Sequence, residues 1–292
     1  VTVAAATAVG IGQTGGAPAH AADCTDAQTI VLNTGASFNP TAWRLYTYDT
    51  AGQKLGDVAL PVEYGDIALT ADGTLYGVRL APPAALDRID PATGTAEASV
   101  ALPAPLASLS LNSLTALPDG TLLTGAASTP VVYQIDPAGN VTEFAELPTG
   151  HRPAGDFLSL PDGDVLAVTR VSPVTWLVRI KPDRTSIPVG TVPAAYGAAL
   201  VAGAVFLAGI TGDLLRVTAV PTEPGSDPIP VTTPAATGLP FYGATSIGDG
   251  GLCAPTLTLT KALGSARATP ADQFTVVVRA GPPDGPGVSS PA

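Results

Sequence analysis

The feature that most constrains this chain is an internal repeat. Four segments align on a turn dipeptide or its degenerate form: TADGTLYGV (Thr70 to Val78), LPDGTLLTG (Leu117 to Gly125), LPDGDVLAV (Leu160 to Val168) and LVAGAVFLA (Leu200 to Ala208). Each follows a short strand of small apolar residues: GDIAL from Gly65, NSLTAL from Asn112, GDFLSL from Gly155 and GAALV from Gly197. Each precedes a third strand, LDRIDP from Leu86, VYQIDP from Val132, LVRIKP from Leu177 or LLRVTA from Leu214. A fourth strand ends on Pro103, Pro148, Pro193 or Pro234. Asp72 and Asp119 lie 47 residues apart, and Asp119 and Asp162 lie 43 apart. Four short strands at this period read as the blades of a β-propeller, with Asp-Gly supplying the positive φ of a two-residue hairpin.

The two ends of the repeat complete one more blade. TIVLN (Thr29 to Asn33), WRLYTYD (Trp43 to Asp49) and KLGDVALP (Lys54 to Pro61) match strands two to four but lack a first strand. GATSIGDG (Gly243 to Gly250) matches a first strand with no blade after it. Joined, they close the ring and leave no free sheet edge. The expectation is an all-β propeller of five blades. A degenerate blade within Pro221 to Gly238 would make six, but that segment reads better as a long outer hairpin with an acidic, Pro-rich tip. The 32 Gly and 30 Pro among 292 residues exclude a helical bundle.

Residues 1–21 read as a secretory signal whose positively charged n-region is missing: an apolar run from Val3 to Ile11, then a small-residue cleavage site at Ala19-His20-Ala21. The run is too short to span a bilayer, and no membrane insertion is expected within this chain. Cys24 and Cys253 are the only cysteines. An even pair in an exported protein reads as a disulfide, and ring closure brings the two positions to neighbouring strand ends. On the chain-entropy model so long a loop is worth about 4 to 5 kcal/mol. The propeller occupies 22–254. Residues 255–280 alternate Thr with apolar residues as an incomplete β-sandwich module, and 281–292 read as a disordered tip. Net charge is −11, with 24 acids against 13 bases, so nucleic acid is not an expected partner.

The succession of a small first strand, DGTLYGV and LDRIDPATG resembles the repeats of bacterial secreted propellers of the NHL-like, quinoprotein-like and streptogramin-lyase-like group, over roughly Cys24 to Cys253. TLTK followed by PADQFTV resembles the opening of prealbumin-like or immunoglobulin-like modules that actinobacterial surface proteins carry after a propeller. The lyase relatives depend on a catalytic histidine with a metal nearby, a place His151 would take. The lactonase relatives hold a metal with Glu, Asn and Asp, for which Glu63, Asn112 and Asp156 stand in comparable places.

Propeller ligands bind where the first strands begin. Asp66, Asn112 and Asp156 stand at three of those starts, and Gly197 and Gly243 at the others. Three oxygen-bearing side chains converging on an axis would suit a small ligand or a hard cation such as Ca²⁺. The recurring acids Asp72, Asp119, Asp162, Asp90 and Asp136 serve turns. His151 is expected in an exposed loop, with Arg152 pairing to Asp156 or solvent. Tyr46 and Tyr48 share a strand face and are expected to pack between blades. With so few catalytic residues, the sequence reads as a non-enzymatic secreted or cell-surface binding protein for an extracellular protein or glycan, without a required cofactor. The alternative is a metal-dependent lactonase or lyase acting at the channel mouth.

Overall fold

A computed structural model describes residues 29–34, 43–70 and 72–249. They form five four-stranded antiparallel sheets, the blades of a propeller. The closing blade takes β1 (Thr29–Asn33), β2 (Arg44–Asp49) and β3 (Lys54–Ala59) from the start of the chain. Blade one is β4 (Tyr64–Leu69), β5 (Leu75–Arg79), β6 (Ala85–Ile89) and β7 (Ala96–Ala101). Blade two is β8 (Leu111–Ala116), β9 (Leu122–Ala126), β10 (Val131–Ile135) and β11 (Val141–Glu146). Blade three is β12 (Arg152–Ser159), β13 (Val165–Val171), β14 (Val174–Ile180) and β15 (Ser186–Val192). Blade four is β16 (Ala195–Val201), β17 (Ala204–Gly209), β18 (Asp213–Val217) and β19 (Val231–Ala236). The last strand, β20 (Gly243–Thr245), pairs with β1, so the closing blade has the order β20, β1, β2, β3. Five blades closed by strands from both ends match the sequence reading, and no sixth blade occurs among the described residues.

The core is divided among the blade interfaces. Five apolar clusters fill the five gaps between neighbouring blades. The period-two alternation of a strand explains this division: in β13, Leu166 and Val168 face blade four, whereas Val165 and Ala167 face blade two. Inner strands are therefore apolar on both faces, while the outermost β7 is exposed along its whole length. Tyr46 and Tyr48 lie between the closing blade and blade four, each edge-on to Phe241 at 5.8 and 5.9 Å, as expected for packing aromatics.

The turns differ from the two-residue expectation. Thr70 N–H donates to Thr74 O and Gly73 N–H to Thr70 O, a three-residue loop in which Gly73 has positive φ (+81°). The loops ending at Gly120 and Gly163 repeat it. In the Gly120 and Gly163 loops glycine alone has positive φ, the pattern of a type I turn followed by a left-handed residue, and in the first loop Asp72 accepts from Thr70 Oγ1 and Thr74 N–H. The degenerate repeat makes the tight turn instead: Val201 pairs with Ala204, and both Ala202 and Gly203 have positive φ.

Pro221 to Gly238 is not an outer hairpin. Residues 225–229 lie along β15, where Thr191 N–H donates to Asp227 O and Ile229 N–H to Thr191 O, and Ile229 is buried. The segment then returns as β19, whose Pro234 sits within an edge strand, where a missing N–H is tolerated. The residues assigned to a signal (1–21), to the disulfide (Cys24 and Cys253), to the incomplete module (255–280) and to the tip (281–292) lie outside the described residues.

Candidate functional site

The first strands meet at the axis more closely than side chains usually allow. A Cβ on Gly65 would lie 1.9 Å from Leu111 O, and one on Gly155 would lie 2.1 Å from Tyr196 O. Register shifts fall near the start of β4, β8, β12 and β16, at Tyr64/Asp66, Leu111/Ser113, Pro153/Phe157 and Ala195/Gly197. These bulges turn the residues that follow the glycines toward the neighbouring blades.

A ring of side-chain to backbone hydrogen bonds joins all five first strands. Leu114 N–H of β8 donates to Asp66 Oδ2 of β4 at 2.6 Å. Ser159 N–H of β12 donates to Thr115 Oγ1 at 3.3 Å, and Ala198 N–H of β16 to Asp156 Oδ2 at 2.8 Å. Leu200 N–H of β16 donates to Asp249 Oδ1 just after β20 at 2.7 Å, and Leu69 N–H of β4 to Thr245 Oγ1 at 2.9 Å. Asp156 also reaches past blade four to accept from Ala244 N–H at 3.0 Å.

Two of the three acids and amides expected at the mouth thus come together. Asp66 and Asp156 are fully buried, and their carboxyl groups act on each other electrostatically. Burial pushes both carboxyls well above the usual range, and for Asp156 the negative charge of Asp66 adds to it. Two buried carboxylates acting on each other cannot both ionise cheaply. Burial likewise pushes Asp249 up to about 6, against the opposing pull of the Leu200 and Ser246 N–H groups.

Asn112 is not part of this pair. It lines a surface cavity, donates through Nδ2 to Pro153 O at 3.3 Å, and its Oδ1 has no partner. Glu63 sits just before β4, where its main-chain carbonyl accepts from Leu80 N–H. For Ca²⁺ the donor set fits poorly. Both oxygens of Asp66 accept N–H groups, as does Asp156 Oδ2, leaving Asp156 Oδ1 and the buried Asn33 Oδ1 where a hard cation wants six to eight oxygens. Among the described residues no group of three or more His, Cys, Asp and Glu is placed to hold a metal ion.

His151 is not exposed. It keeps 6% of its surface, its Nδ1 is 2.9 Å from Thr169 Oγ1, and Trp176 stands edge-on at 5.5 Å. Burial lowers its pKa. Arg152 does not pair with Asp156, which lies sealed at the axis; its Nη1 donates to His151 O at 2.9 Å.

Above the buried acids, beside Gly65 and Gly155, is a cavity of about 520 Å³. Arg152 and Arg170 of blade three, Asn112 of blade two, Tyr196 at the start of β16 and Tyr242 just before β20 contribute to its wall. Tyr196 and Tyr242 meet edge to face at 6.1 Å. The sequence reading missed both arginines and both tyrosines. A signal existed in the Tyr-Gly dipeptides at first-strand starts, but only the β12–β13 register sets Arg152 opposite Arg170.

Fold and site together define the class: a five-bladed β-propeller closed by strands from both ends of the repeat, with a cavity lined by arginine, asparagine and tyrosine at the mouth and two buried carboxyls beneath it. No protein-family model matches the sequence, and no curated protein matches it. Among solved structures the chain is similar to a Bacteroides thetaiotaomicron protein of unknown function, at 13% identity over 76% of this chain and 62% of that one, with a TM-score of 0.50. It is also similar to virginiamycin B lyase from Staphylococcus aureus, at 16% identity over 74% of each chain and a TM-score of 0.45. A luciferin-regenerating enzyme aligns at 14% identity over 69% of this chain and 76% of its own, with a TM-score of 0.46. At such identities the likeness is one of fold.

Proposed function

We propose that this chain is a non-enzymatic binding protein, exported to the cell exterior or surface, whose propeller takes part of a glycan or another extracellular ligand into the cavity at its mouth. One observation carries the reading: a 520 Å³ cavity stands where the first strands begin, and its wall is made of groups that bind rather than react. Clefts of this size with a few convergent polar groups are the usual form of a ligand site. Ser172 is its one aliphatic hydroxyl, and no His or carboxylate among the described residues hydrogen-bonds to it. His151, the residue a lyase reading would use, is buried against Thr169 and Trp176 behind this wall. Export rests on the apolar run from Val3, the Ala19-His20-Ala21 site and the cysteine pair.

The test is binding of the full chain to a panel of cell-wall glycans and extracellular proteins, measured beside an Ala127→Trp variant. Ala127 is an exposed residue of the cavity wall, so a bulky replacement blocks the site without entering the core. Binding that Ala127→Trp abolishes is the expected outcome. Ligands that bind the variant equally well, or turnover of a lactone that the variant loses, would overturn the reading.

A further inference from the structure

We propose that the ligand presents a carboxylate attached to a flat ring, held by Arg152 and Arg170 with the ring against Tyr196 and Tyr242. The inference rests on the cavity being the binding site. Its starting point is an arrangement that costs stability. Arg152 and Arg170 are direct partners across the β12–β13 pair, and like charges so placed repel. Both line the cavity, and neither makes an ion pair among the described residues. Three other arginines of blades one and three are neutralised: Arg79 meets Asp87 at 2.9 Å, Arg88 meets Glu97 at 2.7 Å, and Arg179 meets Asp162 at 2.8 Å, while Arg184 lies over the Phe144 ring at 5.5 Å. Two guanidiniums left facing one pocket, in a chain of net charge −11, make a local positive site within a negative molecule.

The geometry of the pair matches an oxyanion. Arg152 is steadied by donating one Nη1–H to His151 O, which leaves its other N–H groups for a ligand. Arg170 is exposed and makes no hydrogen bond within the described protein. A guanidinium fork fits the two oxygens of a carboxylate, and paired forks fix its plane. The tyrosines enter the wall from blade four and the closing blade, so a ligand anchored on blade three extends toward them. Their half-buried rings offer apolar contact to a ring face. Asn112 Oδ1, an acceptor with no protein partner, stands on the same wall.

The probes are 2-naphthoate and its neutral counterpart 2-naphthamide, titrated calorimetrically into the full chain, into Arg170→Gln and into Ala127→Trp. Naphthoate is expected to bind at least about 10-fold tighter than the amide, the size of one charge-assisted hydrogen bond. Arg170→Gln should erase that preference and leave the amide unchanged, and Ala127→Trp should abolish both. Equal affinity for the two probes, insensitive to Arg170→Gln but lost in Ala127→Trp, overturns the carboxylate inference while the cavity stands. Binding that survives Ala127→Trp, or binding of neither probe, overturns the cavity as well.

Discussion

Asp66 of blade one and Asp156 of blade three bury their carboxyl groups beside each other at the propeller axis, with blade two between their strands, and burial together with the charge of Asp66 raises the pKa of Asp156. The pair belongs to blades that share no sheet edge. Asp156 adds Ala198 and Ala244 N–H from blade four and the closing blade, and Asp66 adds Leu114 N–H from blade two. All five inner strands are therefore within one hydrogen bond of this pair or of the Thr245 and Asp249 links beside it.

Asp156→Asn should be tolerated, because the amide oxygen keeps the two backbone donors and the neutral amide removes one of two buried carboxyls that repel when ionised. Asp156→Ala leaves the buried Ala198 and Ala244 N–H groups unpaired and should cost about 2 to 5 kcal/mol. Urea denaturation of both variants separates the outcomes, and equal losses would contradict the assigned network.

Stability should peak at mildly acidic pH. Asp249 titrates near 6 when folded and near 4 when unfolded, so between those values the folded chain holds more protons and loses stability as pH rises, by about 3 kcal/mol. The Asp66 and Asp156 pair, also raised, acts in the same direction. The turn acids Asp72, Asp90 and Asp136 are lowered by hydrogen bonds from Thr70, Thr93 and Asn140, so their contribution disappears as pH falls below about 4. His151, lowered by burial, opposes the three acids: its contribution is lost as pH falls below about 6.5. Thermal midpoints from pH 3 to 8 should rise and then decline, more steeply in His151→Gln. A midpoint climbing steadily to pH 8 would refute the assignment.

Gly155→Ala places a Cβ 2.1 Å from Tyr196 O, a backbone atom that moves only with its strand. The expected loss is about 1 to 3 kcal/mol or more, by overpacking. Gly73→Ala meets open space and pays only for its φ of +81°, about 1 to 2 kcal/mol. A larger loss at Gly73 than at Gly155 would mean that the strands are not in close contact at the axis.

Ending the chain after Leu239 removes Phe241 and β20. It strips β1 of its inner partner, leaves Asp156 without Ala244 N–H, and exposes the edges of β4 and β16. The truncated chain should lose its single cooperative unfolding transition, as seen by circular dichroism and calorimetry. A sharp two-state transition at unchanged temperature would show that β20 does not close the ring.

Much of the fold was legible because a blade is a local object. Its four strands follow one another, its Asp-Gly loops are written in adjacent residues, and Asp90 and Asp136 act within four residues of themselves. Even the shared blade could be read, since TIVLN lacked a first strand and GATSIGDG lacked a blade. Reading failed where an outcome depended on what lay beside a segment. Pro221 to Gly238 looks like a hairpin until β15 offers it Thr191, and His151 looks like a loop residue until Thr169 and Trp176 enclose it.

The candidate site divides in the same way. The sequence by itself determined that Asp66, Asn112 and Asp156 stand at the starts of first strands, because those starts are set by the repeat. Only the tertiary structure decided that two of them turn inward as a sealed pair while the third lines a cavity with Arg152, Arg170, Tyr196 and Tyr242. The reason is the irregular register near the starts of β4, β8 and β12. A shift in register re-aims the side chains at and after it, and that shift is set by contact between blades more than forty residues apart.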